Sequence, residues 1–115
     1  MISKNLLDEL IQFRSEREWE QFHTVRNLSA ALCVEASELL DKFRWARDYE
    51  IEGIVEQNRL EIENELADVS ILISYLCHDL GLSIDDIVRK KLEINREKYP
   101  VEKAKGNAKK YKELI

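Results

Sequence analysis

Two pairs of acids recur in this chain at helical spacing, Glu35-x-x-Glu38 and Glu65-x-x-Asp68. At roughly 100° per residue, positions i and i+3 lie about 60° apart, on one face and one turn along. The chemistry therefore depends on where that face points. Counted around the helix from Leu28, Glu35 falls about 20° away. That places it at the edge of an apolar stripe made by Leu28, Leu32, Ala36, Leu39, Leu40 and Phe43. In the second pair, Leu72 falls angularly between Glu65 and Asp68, with Val69 and Leu76 beside them. Both acidic pairs thus border a packed seam. Four carboxylates facing one another repel and resist ionisation unless cations sit between them. Hard oxygen ligands select Mg²⁺ or Mn²⁺, which also bind phosphate oxygens. Two such ions could hold a triphosphate, activate a water and stabilise a leaving pyrophosphate. A single ExxE in so acidic a chain is ordinarily a solvated face, and even two pairs at the apolar boundary leave the two readings balanced.

Other residues add weaker signals. Lys91 and Asn95 lie one helical turn apart on one face, with Arg96 adjacent. A cation and an amide so placed can clamp phosphate oxygens and a metal-bound water, although a solvated face has the same pattern. Trp19 and Trp45 are the only tryptophans. Trp45 lies angularly close to Glu38, two turns further along, where an aromatic ring can stack on a base or simply pack.

The elements that must position these residues are helices. Three Gly and one Pro in 115 residues leave few turns, and 44% hydrophobic with 36% charged residues suits amphipathic helices. The formal net charge of −5 argues against binding a nucleic acid polymer, though not against nucleotides, because bound metal reverses the local sign. Ser3 can cap a first helix with Leu6, Leu10 and Phe13 on its apolar face. The aromatic-rich Trp19–His23 reads as a loop or short turn, and a second helix spans about Arg26 to Trp45. After a connection from Ala46 to Gly53, a third helix runs from near Ile54 to Leu80, with Gly81 just past its end. Ser83 caps a fourth that stops near Tyr99, before Pro100. A basic tail, 101–115, follows. The expected fold is all-α: a four-helix bundle in one domain, 1–115, assembled as a homodimer or homotetramer. Ile71 and Tyr75, off the main stripe of the third helix, supply the second apolar surface for that assembly. Cys33 and Cys77 belong to no CxxC pair, no membrane span is evident, and a cytoplasmic protein is expected.

Across these segments, from about Leu6 to Leu114, the chain resembles the MazG-like all-α nucleotide pyrophosphohydrolases, and most of all the dCTP pyrophosphatase branch. The ExxE and ExxD pairs match the family signature. Glu18-Trp19-Glu20-Gln21-Phe22-His23 with Arg26-Asn27-Leu28, then Phe43-Arg44-Trp45, resemble the branch more closely. So do Lys91, Ile94-Asn95-Arg96, Tyr99-Pro100, Lys110-Tyr111 and Glu113-Leu114. The resemblance implies hydrolysis of a nucleoside triphosphate to monophosphate and pyrophosphate, with a dCTP-like pyrimidine deoxynucleotide favoured. It makes Glu35, Glu38, Glu65 and Asp68 Mg²⁺ ligands, one glutamate also orienting or deprotonating water. It puts Lys91 and Asn95, with Arg96 beside them, at the phosphates, and Trp19, His23 and Trp45 around the base. Two departures stand out. Val34 replaces a glutamate that many members carry before the first ligand, and Leu72 replaces a tyrosine that lines the base pocket, which puts cytosine selectivity in question. The rivals are a broad-specificity NTP pyrophosphatase and a helical regulatory module that binds metal or nucleotide without turnover. A di-iron carboxylate bundle would need Glu-x-x-His pairs, which His23 and His78 do not supply.

Overall fold

The computed structural model describes residues 1–114 and divides the chain into two compact units, Ile2–Gly81 and Leu82 onward with Met1. Among the described residues every regular element is helical. In the first unit, α1 spans Lys4–Glu16, α2 Val25–Asp41, α3 Ile51–Gln57 and α4 Arg59–Asp79. In the second, α5 spans Ile84–Lys98 and the short α6 spans Val101–Ala104, with one turn of 3₁₀ helix at Tyr111–Glu113. Single 3₁₀ turns also occupy Glu20–Phe22 and Asp48–Glu50.

Local chemistry explains most of the boundaries. Ser3, Thr24 and Ser83 each accept a hydrogen bond from the backbone N–H three residues on, capping α1, α2 and α5. α4 ends where Gly81 takes the left-handed conformation at φ 67°, which costs a residue without Cβ nothing. The long third helix expected from Ile54 to Leu80 is instead two helices, and six α-helices replace four. The break falls at Asn58, whose side-chain amide donates to the Ile54 carbonyl at 2.9 Å while its backbone leaves helical geometry. This is the competition by which asparagine ends helices. Upstream, the expected connection closes early: the Glu50 side chain accepts from the Arg47 N–H at 2.9 Å and starts a helix through Gly53. α2 stops at Asp41, so Trp45 sits in a turn rather than on the helix.

Within the first unit α2 packs chiefly along α4, and α1 lies on α4. The tight core is small: Leu28 and Tyr75 are the buried apolar residues among those described, with Arg14 and Ser74 buried beside them. The face that α1 turns inward is Leu7, Leu10, Ile11 and Arg14, whereas Leu6 and Phe13 are 45% and 44% exposed. Tyr75 is likewise a correction. Expected on an outer surface, it is 4% exposed and its hydroxyl donates to the Leu10 carbonyl at 2.9 Å, tying α4 to α1. Among the described residues no single helix is long and apolar enough to cross a membrane.

Candidate functional site

The α2–α4 seam brings Glu35, Glu38 and Glu65 together, each offering a carboxylate oxygen within 4.8 Å of the others. Glu35 and Glu65 are half-buried and Glu38 is exposed, so the cluster opens to solvent on one side. The Glu65 Oε2 atom is buried without a hydrogen-bond partner. Glu35 is pushed up to about 7, first by the Glu65 carboxyl with which it can share a proton, then by burial and by Glu38. Asp68 stands outside the converging three, exposed one turn along α4, yet its charge still acts on Glu35. One Glu65 oxygen without a donor, beside a Glu35 carboxyl whose hold on its proton is raised, makes a group of acceptors that a cation could satisfy. The all-oxygen donor set fits a hard divalent ion.

A second cluster lies where α1 meets α4. Two hydrogen bonds of 2.8 and 2.9 Å join the buried Arg14 guanidinium to the Asp79 carboxylate. The pairing holds the Asp79 carboxyl below its ordinary range and raises Arg14. The guanidinium also faces the Tyr75 ring, 4.6 Å from its centroid. The chain then reverses after α1: the Trp19 N–H reaches the Arg14 carbonyl and the Glu18 N–H that of Ser15, with Glu18 left-handed at φ 53°. That conformation is uphill by about 1–2 kcal/mol for a residue with a Cβ. It returns Trp19 to an edge-on contact with Phe13 at 5.6 Å. His23 follows, its ring 6.2 Å from Trp19 and 5.3 Å from Tyr75. Burial and then the Arg14 charge lower its basicity, and its buried Nδ1 has no partner. Asn27 fixes this turn onto α2 by donating from its side chain to the Phe22 carbonyl at 2.9 Å.

The residues expected around a base are therefore not all together. Trp19 and His23 share the aromatic cluster. Trp45 is 86% exposed, its ring approached by its neighbour Arg44 at 5.2 Å and by neither Trp19 nor His23 among the described contacts. Leu72 is half-buried on α4, one turn beyond Asp68. In the second unit Lys91 and Asn95 line a common cleft, while Arg96 turns away to pair with Glu93 on its own helix. Sequence reasoning missed Arg14, Asp79 and Tyr75. A signal existed for Arg14, since Leu7, Leu10 and Arg14 recur at helical spacing and place the arginine on the inward face. Nothing local marks Asp79 as its partner.

The chain is similar to known proteins in sequence and in fold. dCTP pyrophosphatase 1 of Homo sapiens is 38% identical over 105 residues, which cover 90% of this chain and 62% of that protein. The Mus musculus protein of that name is 37% identical with the same coverage. This chain thus spans less than two thirds of the length of these curated relatives. The crystal structure of a pyrophosphatase from Archaeoglobus fulgidus matches with a TM-score of 0.82 at 38% identity, over 84% of this chain and 91% of that one. A family model described as MazG-like matches residues 30–114, a stretch that includes Glu35, Glu38, Glu65 and Asp68. With the helical fold, the acidic seam and these matches in agreement, the chain belongs to the MazG-like family.

Proposed function

We propose that this protein is a Mg²⁺-dependent nucleoside triphosphate pyrophosphohydrolase that releases nucleoside monophosphate and pyrophosphate, with a pyrimidine deoxynucleotide of the dCTP type as preferred substrate. The observation that carries the proposal is the convergence of Glu35, Glu38 and Glu65 around a buried, unpartnered oxygen. Family membership and the pyrophosphatase names of its relatives support the reaction class. In this reading Glu35, Glu38, Glu65 and Asp68 hold the metal, which when bound neutralises phosphate oxygens and supports attack by water. A glutamate of α2 orients that water. Lys91 and Asn95 take phosphate oxygens, and Trp19, His23, Trp45 and Leu72 serve the base. Stacking on tryptophan accepts any base, so selection falls to His23, whose imidazole can donate and accept, while Leu72 offers no polar group.

The same reading makes the enzyme a cytoplasmic homodimer at least. So few buried apolar residues in one chain, with Trp45, Leu60, Val34 and Leu40 each more than half exposed, fit a helix pair that completes its core against a second copy. The test of function is incubation with Mg²⁺ and each common (d)NTP, followed by separation of products. Monophosphate with pyrophosphate, fastest from dCTP, is expected. Diphosphate with orthophosphate, or no turnover of any triphosphate, overturns the proposal. Light scattering that returns the monomer mass at micromolar concentration would remove the dimer.

A further inference from the structure

Arg14 is a buried cation outside the acidic seam, 4% exposed, and it is tied to the turn that carries Trp19 and His23. Its carbonyl accepts from the Arg17 and Trp19 N–H groups at 3.2 and 3.1 Å, which sets the reversal after α1. Its guanidinium gives Nη1 and Nη2 to Asp79 and lies over the Tyr75 ring. The remaining donor, Nε, is buried with no acceptor. His23 has the complementary defect. Its ring is half-buried with Nδ1 sealed and unpartnered, so Nε2 is the nitrogen left to meet a ligand. The groups that face this ring are Arg14 from α1, Tyr75 and Asp79 from α4, and Trp19 and Glu20 from its own turn.

A neutral imidazole carries one proton, on Nδ1 or on Nε2. On Nδ1 it would be a buried donor without an acceptor, set in the field of the Arg14 charge. A bare Nδ1 costs less, because its lone pair is the negative end of the ring and the guanidinium favours it. Burial, then the same charge, oppose a second proton, against the weaker pull of Asp79 and Glu20. We propose that Arg14 is a positioning residue for base recognition: paired to Asp79 under the Trp19–His23 turn, it keeps the single imidazole proton on Nε2, and His23 thereby presents a donor to a carbonyl or ring-nitrogen acceptor of the base. An amino group at that place would meet donor with donor, so the contact rejects it. The ring carbonyl common to cytosine, uracil and thymine fits. The choice of a base as ligand rests on the proposed function; the place of the proton does not.

Long-range ¹H–¹⁵N spectra of the full chain, free of metal and nucleotide, read the proton directly, with His23→Gln identifying the signal. From about pH 6 to about pH 8 a single Nε2–H form is expected. A wild-type ring with its proton on Nδ1, or exchanging between both nitrogens, overturns the proposal without recourse to any variant. Arg14→Met with Asp79→Leu removes the pair together, which spares the fold a stranded charge, and the melting temperature checks that it folds. Both tautomers should then appear, with the doubly protonated ring gaining below the ordinary histidine value of 6.5. Arg14→Lys keeps the charge and should keep the Nε2–H form. In turnover of a pyrimidine deoxynucleoside triphosphate with Mg²⁺, the apolar pair should raise KM about tenfold, the scale of one hydrogen bond. It should change kcat less than about twofold. Adding His23→Gln should cost little more, since the oriented donor is already lost. An unchanged spectrum or KM in the apolar pair, a full further loss from His23→Gln, or a lysine variant that behaves like the apolar pair each overturns the proposal. If no triphosphate is turned over while His23 remains Nε2–H, the base and the proposed function fall together and the hold of Arg14 on the ring stands. Turnover with a mixed wild-type ring removes only the role of Arg14.

Discussion

Two clusters on α4 treat half-buried charge in opposite ways. At its C-terminal end Asp79 meets Arg14 in a two-bonded pair. Earlier on the same helix Glu65 meets Glu35 and Glu38, acid against acid, with one buried oxygen left unbonded. The first arrangement is complete within the chain and ties α1 to α4. The second gathers acids and leaves one acceptor unmatched by any donor among the described residues. A buried charge matched by a partner is structure, and one matched by none is an open valence for a ligand. The aromatic residues near Arg14 join the two roles, since the pair that fixes α1 also lies under His23 and Tyr75.

The largest expected effect breaks the acidic cluster. Glu38→Ala or Asp68→Ala should lower turnover by orders of magnitude, yet leave the metal-free melting temperature unchanged or higher, because each substitution relieves repulsion. Near-normal steady-state rates would show these acids to be solvated charges. Next in size is the paired cluster. Arg14→Ala leaves Asp79 without its partner and should cost about 3 kcal/mol, the low end for a buried pair because Asp79 is partly exposed. Urea denaturation measures it. The double variant Arg14→Ala with Asp79→Ala should lose less than the sum of the single changes, and strict additivity would mean the two residues act independently.

A smaller effect is the opposite response of the two clusters to pH. Glu35 has a raised folded-state value of about 7 against an ordinary 4.5. Its contribution is therefore fully present below the ordinary value and is lost as pH rises through about 7. Asp79 is lowered, so the Arg14 pair contributes above the ordinary aspartate value and is lost only as pH falls below it. Metal-free protein should thus soften between about pH 5 and pH 8, and Glu35→Gln should flatten that slope. If Mg²⁺ binds these acids as proposed, saturating Mg²⁺ should also flatten it, because the ion would take the place of the shared proton. An unchanged slope in Glu35→Gln assigns the softening to other groups. The smallest effect tests the α1–α4 tie: Tyr75→Phe removes the hydrogen bond to Leu10 and should cost about 1 kcal/mol. A loss indistinguishable from zero would mean that packing alone holds the ring.

Much of the helix pattern is written locally. Ser3 and Ser83 read as caps because a hydroxyl three residues before an open N–H acts within one turn of chain. The acidic pairs read as seam residues because helical geometry fixes the angle between Glu35 and Leu28 without reference to the rest of the molecule. Helix ends were harder, for Asn58 and Arg47 decide theirs through hydrogen bonds that compete with ordinary helix propagation.

The amino-acid sequence by itself determined an all-helical chain, the MazG-like family and acids on the inner edges of two helices, since these follow from composition, short-range spacing and motif order. Only the tertiary structure decided that three of the four acids converge while Asp68 stands apart, because convergence depends on how α2 is rotated and shifted against α4. It alone turned Tyr75 from an expected outer surface into core and joined Arg14 to a carboxylate 65 residues away. A side chain's partner across such a distance is set by packing, where the cost of an unpaired buried charge excludes arrangements that local propensity would allow.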